Sequence, residues 1–126
     1  KINAKKFSVE NRIQFERSNW IKSIQIFDII TSNPPYLSFN EYNKVSNDIK
    51  LYEPKIALVG GNDGLDCYRQ IATMLKKITD NNSLCFFEIG INQKNECINI
   101  FKQNSINCLE IIKDYQNIER ILVFKK

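Results

Sequence analysis

Ten residues, Phe27-Asp28-Ile29-Ile30-Thr31-Ser32-Asn33-Pro34-Pro35-Tyr36, restrict the fold more than any other stretch of the chain. A short apolar, β-branched run is stopped at once by two prolines, the pattern of a buried strand that ends abruptly. Neither proline donates a backbone hydrogen bond, and Pro34 biases Asn33 away from the helical region. The strand therefore runs into a rigid corner. That corner presents the Asn33 carboxamide, the carbonyls of Asn33 and Pro34, and the flat ring of Tyr36. Two acceptors beside an aromatic face suit a planar NH2 group, which they hold by its hydrogens while the ring stacks on its plane. The same residues also read as a plain turn after a strand, and both readings stand here.

Around this stretch the pattern alternates between helix and strand. Ile2 to Phe7 reads as the last turn of a helix, followed by a loop over Ser8 to Asn11. Arg12 to Arg17 alternates apolar and polar, with Ile13 and Phe15 inward, which predicts a half-buried strand. Leu37 to Tyr52 is polar and reads as a loop, either a mobile segment that grips a substrate or a solvated connection. After the short apolar stretch Ile56 to Val59, Gly60-Gly61-Asn62-Asp63-Gly64 lacks the spacing and the Lys-Ser/Thr of a phosphate loop. It is expected to launch a helix over Gly64 to Ile78, with Asn62 or Asp63 as N-cap. Leu65, Tyr68, Ile71, Ala72, Leu75 and Ile78 then share one face, with Asp66 in the first turn and Lys76 and Lys77 in the last. Ser83 to Ile89, apolar except for Glu88, predicts a strand covered on both faces. Gln93 to Asn104 predicts a second helix that buries Cys97, Ile98 and Phe101. Cys108 to Ile112 and Arg120 to Phe124 are too close for a helical crossover and predict an antiparallel hairpin.

Composition narrows the chemistry. At 126 residues the chain is one domain at most. No apolar run is long enough to span a bilayer, and no targeting leader is visible, so a soluble cytoplasmic protein is expected. The chain has no histidine, which excludes His-based triads and most zinc sites. Cys67, Cys85, Cys97 and Cys108 share no metal-type spacing, and the expectation is reduced core thiols. A net charge of +4 with scattered lysines does not argue for direct nucleic-acid binding. Lys1 is not an initiator methionine, and together with the helix-like first residues it suggests a piece of a larger enzyme.

Asn33-Pro34-Pro35-Tyr36 after an apolar strand resembles the substrate motif of methyltransferases that use S-adenosylmethionine to methylate an amide or exocyclic nitrogen. Further blocks narrow the resemblance: Tyr52-Glu53-Pro54-Lys55-Ile56-Ala57-Leu58, Gly60-Gly61-Asn62-Asp63-Gly64-Leu65, Phe87-Glu88-Ile89-Gly90, and Lys113-Asp114-Tyr115 with Glu119-Arg120. With them the chain resembles, over roughly its whole length, the peptide chain release factor glutamine methyltransferase (PrmC/HemK) family. The resemblance implies an α/β fold: a partial class I, Rossmann-like methyltransferase sheet, mostly parallel, with a C-terminal antiparallel hairpin and without the first two strands. Residues 1–126 would be the C-terminal portion of one catalytic domain whose N-terminal cofactor-binding half is absent. The strand at Phe27 to Ser32 would then be an open edge at the topological switch point, inviting self-association.

The resemblance also implies roles. Asn33 would be catalytic; Asn33, Pro34, Pro35 and Tyr36 would bind the substrate; Trp20 and Asn33 would touch the cofactor, S-adenosylmethionine, whose site is incomplete in this chain. The position before Trp20 is commonly acidic in the family and is Asn19 here, while Trp20 read by itself is equally a core or groove-wall residue. Glu88 would shape the pocket without being catalytic. The implied partner is a peptide chain release factor, methylated on the glutamine of its Gly-Gly-Gln loop. Two alternatives remain from the residues: a DNA or RNA adenine N6-methyltransferase, with Tyr36 stacked on a flipped base, and a non-catalytic remnant serving as a binding scaffold.

Overall fold

The computed structural model describes residues 1–20 and 25–126. Within them the β-branched run of the opening stretch becomes strand β1 (Ile29–Ser32), and it joins β2 (Leu84–Glu88), β3 (Asn107–Lys113) and β4 (Glu119–Lys125) in one sheet of order β1-β2-β4-β3. β1 and β2 are parallel, whereas β4 is antiparallel to both β2 and β3. The chain is thus α/β with a mixed sheet, compatible with part of a methyltransferase sheet, and the C-terminal hairpin forms as the short 113–119 connection requires.

Five helices accompany the sheet among the described residues: α1 (Ile2–Lys6), α2 (Phe39–Lys44), α3 (Asn47–Tyr52), α4 (Asp66–Ile78) and α5 (Lys94–Lys102). The apolar stripe of α4 is buried as its spacing demands, through Tyr68, Ile71, Ala72, Leu75 and Ile78. α5 adds Cys97 and Phe101 to the same core. On the sheet, register places Cys85 opposite Phe124 and Phe87 opposite Leu122, so these four side chains share the helix-bearing face. At its centre Phe101 stacks on Phe124, with ring centroids 4.1 Å apart, and on Phe87 at 5.2 Å. Such ring pairs contribute about 0.5–1.5 kcal/mol each beyond their buried area.

β1 is tied down at its start. Phe27 N–H donates to the Ile78 carbonyl at 3.0 Å, and the Ser83 hydroxyl donates to the Phe27 carbonyl at 2.7 Å. Only one side of β1 is paired within the sheet order, and Ile29 is 63% exposed. The start of the strand is therefore held beside β2 and α4, while no strand among the described residues pairs its outer edge.

Several sequence expectations give way. β1 is not a buried strand, since its residues alternate between exposed and half-buried, and β2 buries one face while the other is only half-covered. Arg12 to Arg17 is not a strand: a 3-10 turn covers Glu10–Arg12, and residues 13–17 are irregular and exposed. Ile13 and Phe15 do alternate, but alternation makes a strand only when another strand offers hydrogen-bond partners, and none among the described residues does so. Leu37 to Tyr52 is not a loop; it contains α2 and α3. The signal was a capping box, in which Ser38 Oγ accepts from Glu41 N–H at 3.2 Å and the Glu41 carboxylate accepts from Ser38 N–H at 2.8 Å. The expected start of α4 also moves: Leu65 is the N-cap and the helix begins at Asp66, because Asp63 uses its carboxylate to accept the Leu65 N–H at 3.1 Å.

Candidate active-site corner

Past Ser32 the chain leaves the sheet as an irregular corner in which Pro34 is buried. Backbone hydrogen bonds anchor its far end: Leu37 N–H donates to the Leu58 carbonyl, and Gly60 N–H donates back to the Leu37 carbonyl, both at 2.9 Å. What lets the corner settle so deeply is a bed of glycines. A β-carbon on Gly60 would stand 2.4 Å from the Pro35 carbonyl oxygen, and one on Gly64 would stand 2.2 Å from the Tyr36 carbonyl oxygen. At Gly90 it would come within 3.0 Å of the Tyr36 ring. Gly64 also has φ of +78°, a conformation that any other residue adopts with strain.

The four corner residues line one cavity of about 310 Å³, closed opposite by Val45, Ile49, Ala57 and Leu58. The Asn33 side chain makes no hydrogen bond to any described residue and is exposed. It also borders a second, broader cleft of about 490 Å³ with Thr31, Phe86, Glu88 and Ile121. Asn33, Pro34, Pro35 and Tyr36 therefore come together on the wall of one concavity.

Behind the corner lies a charged support. Arg120 sits with its guanidinium carbon 5.9 Å from the centroid of the Tyr36 ring, donates to the Ile89 carbonyl at 3.2 Å, and meets the Glu88 carboxylate at 3.3 Å and that of Asp114 at 3.9 Å. Glu88 is thereby engaged by a cation. Its backbone carbonyl accepts the Tyr68 hydroxyl at 2.8 Å; burial pushes the pKa of that phenol up, so it acts as a donor. Gln93 reaches the corner as well, donating from Nε2 to the Tyr36 carbonyl at 2.8 Å and accepting the Gly90 N–H at 3.0 Å. Sequence reasoning missed Gln93, since its role depends on contacts made 57 residues away.

Trp20 is placed elsewhere. Its indole N–H donates to the Gln70 carboxamide of α4 at 2.7 Å, and the Ser18 hydroxyl bonds the Trp20 carbonyl. The ring borders an apolar cavity of about 220 Å³ between β1 and α4, with Ile30, Met74 and Ile78, and a shallower cleft with Pro35, Val59 and Gln70. Trp20 and Asn33 line different cavities here, and among the described residues no carboxylate lines either of the two that Trp20 borders.

No family model matches the chain. Among curated proteins it is similar to a release factor glutamine methyltransferase of Clostridium acetobutylicum, 39% identical over 127 residues, covering 98% of this chain and 45% of that protein. It is similar to a bifunctional methyltransferase of Rickettsia felis, 40% identical over 97% of this chain and 24% of the other. A release factor glutamine methyltransferase of Thermodesulfovibrio yellowstonii is 41% identical over 81% of this chain and 37% of its own length. The chain spans less than half the length of each of these relatives.

Proposed function

The chain belongs to the release factor glutamine methyltransferase family, and we propose that its Asn33-Pro34-Pro35-Tyr36 corner binds a glutamine side chain of a release factor and orients it for methylation on nitrogen. The observation that carries this reading is the Asn33 carboxamide, unengaged by described residues, beside a cavity that it shares with the fixed backbone of Pro34 and the ring of Tyr36.

An amide nitrogen is a poor nucleophile, because its lone pair is delocalised into the carbonyl. Asn33 Oδ1 and the Pro34 carbonyl accept the two N–H bonds of the substrate amide, and Tyr36 stacks on its plane. This holds the nitrogen in one orientation toward the incoming methyl group; once methylated the nitrogen is cationic, and it releases one of its two protons to solvent to restore the neutral amide. The rate gain is one of positioning and preorganised electrostatics, not of a titrating base.

S-adenosylmethionine, the methyl donor implied by the resemblance, is met by only part of a site. The chain has no Gly-x-Gly turn. The cavities of Trp20 hold no carboxylate for a ribose diol. These residues do not fit the whole cofactor, and we propose that residues 1–126 are the substrate-side, C-terminal portion of the catalytic domain, with little affinity for the donor by themselves.

Asn33→Ala in the complete polypeptide that carries this chain tests the reading. With a peptide bearing a Gly-Gly-Gln loop as substrate, the variant is expected to lose about 10²–10³ in kcat, the loss seen when one positioned hydrogen-bonding group is removed. Glutamine methylation at the unchanged rate would sink it.

A further inference from the structure

We propose that Gln93 is a positioning residue: a two-sided clamp that sets Tyr36, and through it the plane in which the substrate amide is held. The proposal rests on the function proposed above for the corner.

Gln93 is half-buried at the N-terminal end of α5. It uses both halves of its carboxamide, one toward the corner and one toward the loop that follows β2. Nε2 donates to the Tyr36 carbonyl at 2.8 Å, and Oε1 accepts the Gly90 N–H, just past the end of β2, at 3.0 Å. Corner and sheet are thus joined by one planar group. The glycines around it are fitted to this clamp as much as to the corner. A β-carbon on Gly90 would stand 2.7 Å from Gln93 Oε1, and one on Gly64 would stand 2.7 Å from Nε2.

The chemistry of the clamp is specific to a carboxamide. Its two partners are a backbone carbonyl and a backbone N–H, so the clamp must donate on one side and accept on the other. Glutamate can accept from Gly90 but cannot donate to Tyr36, and it sets a negative charge against that carbonyl oxygen. At the start of a helix the same negative charge is favoured by the helix dipole. Gln93→Glu therefore separates position from stability: the fold keeps its helix start while the corner loses its tether.

The first readout needs no catalysis. With 3-fluorotyrosine incorporated, the chain carries five fluorine labels, one per tyrosine, and Tyr36→Phe assigns the one at the corner. Gln93→Glu is expected to shift or broaden the Tyr36 resonance alone, with the melting temperature unchanged. Should the substitution lower stability after all, Gln93→Asn, which keeps the carboxamide but cannot span both partners, is read in the same way. An unmoved Tyr36 resonance in both variants would overturn the clamp.

The second readout is kinetic, in the complete polypeptide. A misplaced amide plane is expected to lower kcat by about tenfold or more at nearly constant KM, since geometric misplacement acts on the reacting orientation. A wild-type rate in Gln93→Glu would overturn the positioning role. If the unaltered protein transfers no methyl group to glutamine, the function proposed for the corner fails instead, and the fluorine resonance still decides the clamp.

Discussion

The Cα of Gly64 lies beneath the Tyr36 carbonyl so closely that a β-carbon there would be 2.2 Å from the oxygen. The contact is with backbone, which cannot swing aside as a side chain does, and the left-handed conformation adds strain of about 1–2 kcal/mol for any other residue. Gly64→Ala is expected to lower stability by about 2 kcal/mol or more, read as a shift of the urea midpoint. Gly60→Ala, whose β-carbon meets the Pro35 carbonyl at 2.4 Å, tests displacement of the corner from a second side. Wild-type stability in both variants would contradict the fitted bed.

Acid should find a weak point at the start of α4. The Arg69 guanidinium, hydrogen-bonded to Asp63, holds that carboxyl at about 2, below its ordinary 3.8. A carboxyl depressed in the folded state stabilises fully above its unfolded value and loses that contribution as pH falls from about 4 toward 2. Asp63→Asn is expected to flatten this part of the stability profile, measured as the urea midpoint against pH. An identical slope in the variant would show that Asp63 is not the group responsible.

The four thiols should divide in two. Burial pushes Cys85 up to about 11 and Cys97, with Glu96 adding to it, up to about 12. Neither offers a thiolate near neutral pH, whereas Cys67 and Cys108 are only half-buried. A disulfide exchange reagent is expected to label Cys67 and Cys108 in the native protein and all four after denaturation. Because both buried values are raised, the stability contribution is complete below the ordinary value of 9.0 and is lost as pH climbs toward 11–12. Rapid native labelling of Cys97 would contradict the packing described.

The side of β1 that no described strand pairs predicts concentration-dependent association. An apolar edge with unpaired backbone groups is a template for another strand, and a charge placed on it blocks such pairing. Ile29→Lys is expected to shift the chain toward monomer in light-scattering runs over a range of concentrations. Equal association by the variant would place the contact elsewhere.

Elements whose cause is local were legible in the sequence. β1 followed from its β-branched run, α4 from the spacing of Tyr68, Ala72 and Leu75, and the hairpin from the brevity of the 113–119 connection. The abrupt stop of the strand was legible too, since it follows from the two prolines, although the glycine bed on which the corner settles was not. Elements that depend on a neighbour were not. The alternation of Ile13 and Phe15 met no strand to pair with among the described residues, and both side chains remain exposed at 42% and 51%. The helices after the corner were hidden by a polar composition although Ser38 and Glu41 carried their start signal. Gln93 could not be assigned from sequence, because a glutamine just before a helix is unremarkable until the Tyr36 carbonyl arrives beside it.

The tether between Gln93 and Tyr36 closes 57 residues of chain, whereas β3 and β4 are joined by a tight turn. Long closures carry the larger entropy cost and are completed late, so the hairpin has the means to form while the corner is still unmade. The helices and the hairpin can then be in place before the corner is tethered. A population can display them in a far-ultraviolet spectrum and still include molecules in which Gln93 has not reached Tyr36. Tyr36, not secondary structure, is the place to watch for the last step of maturation.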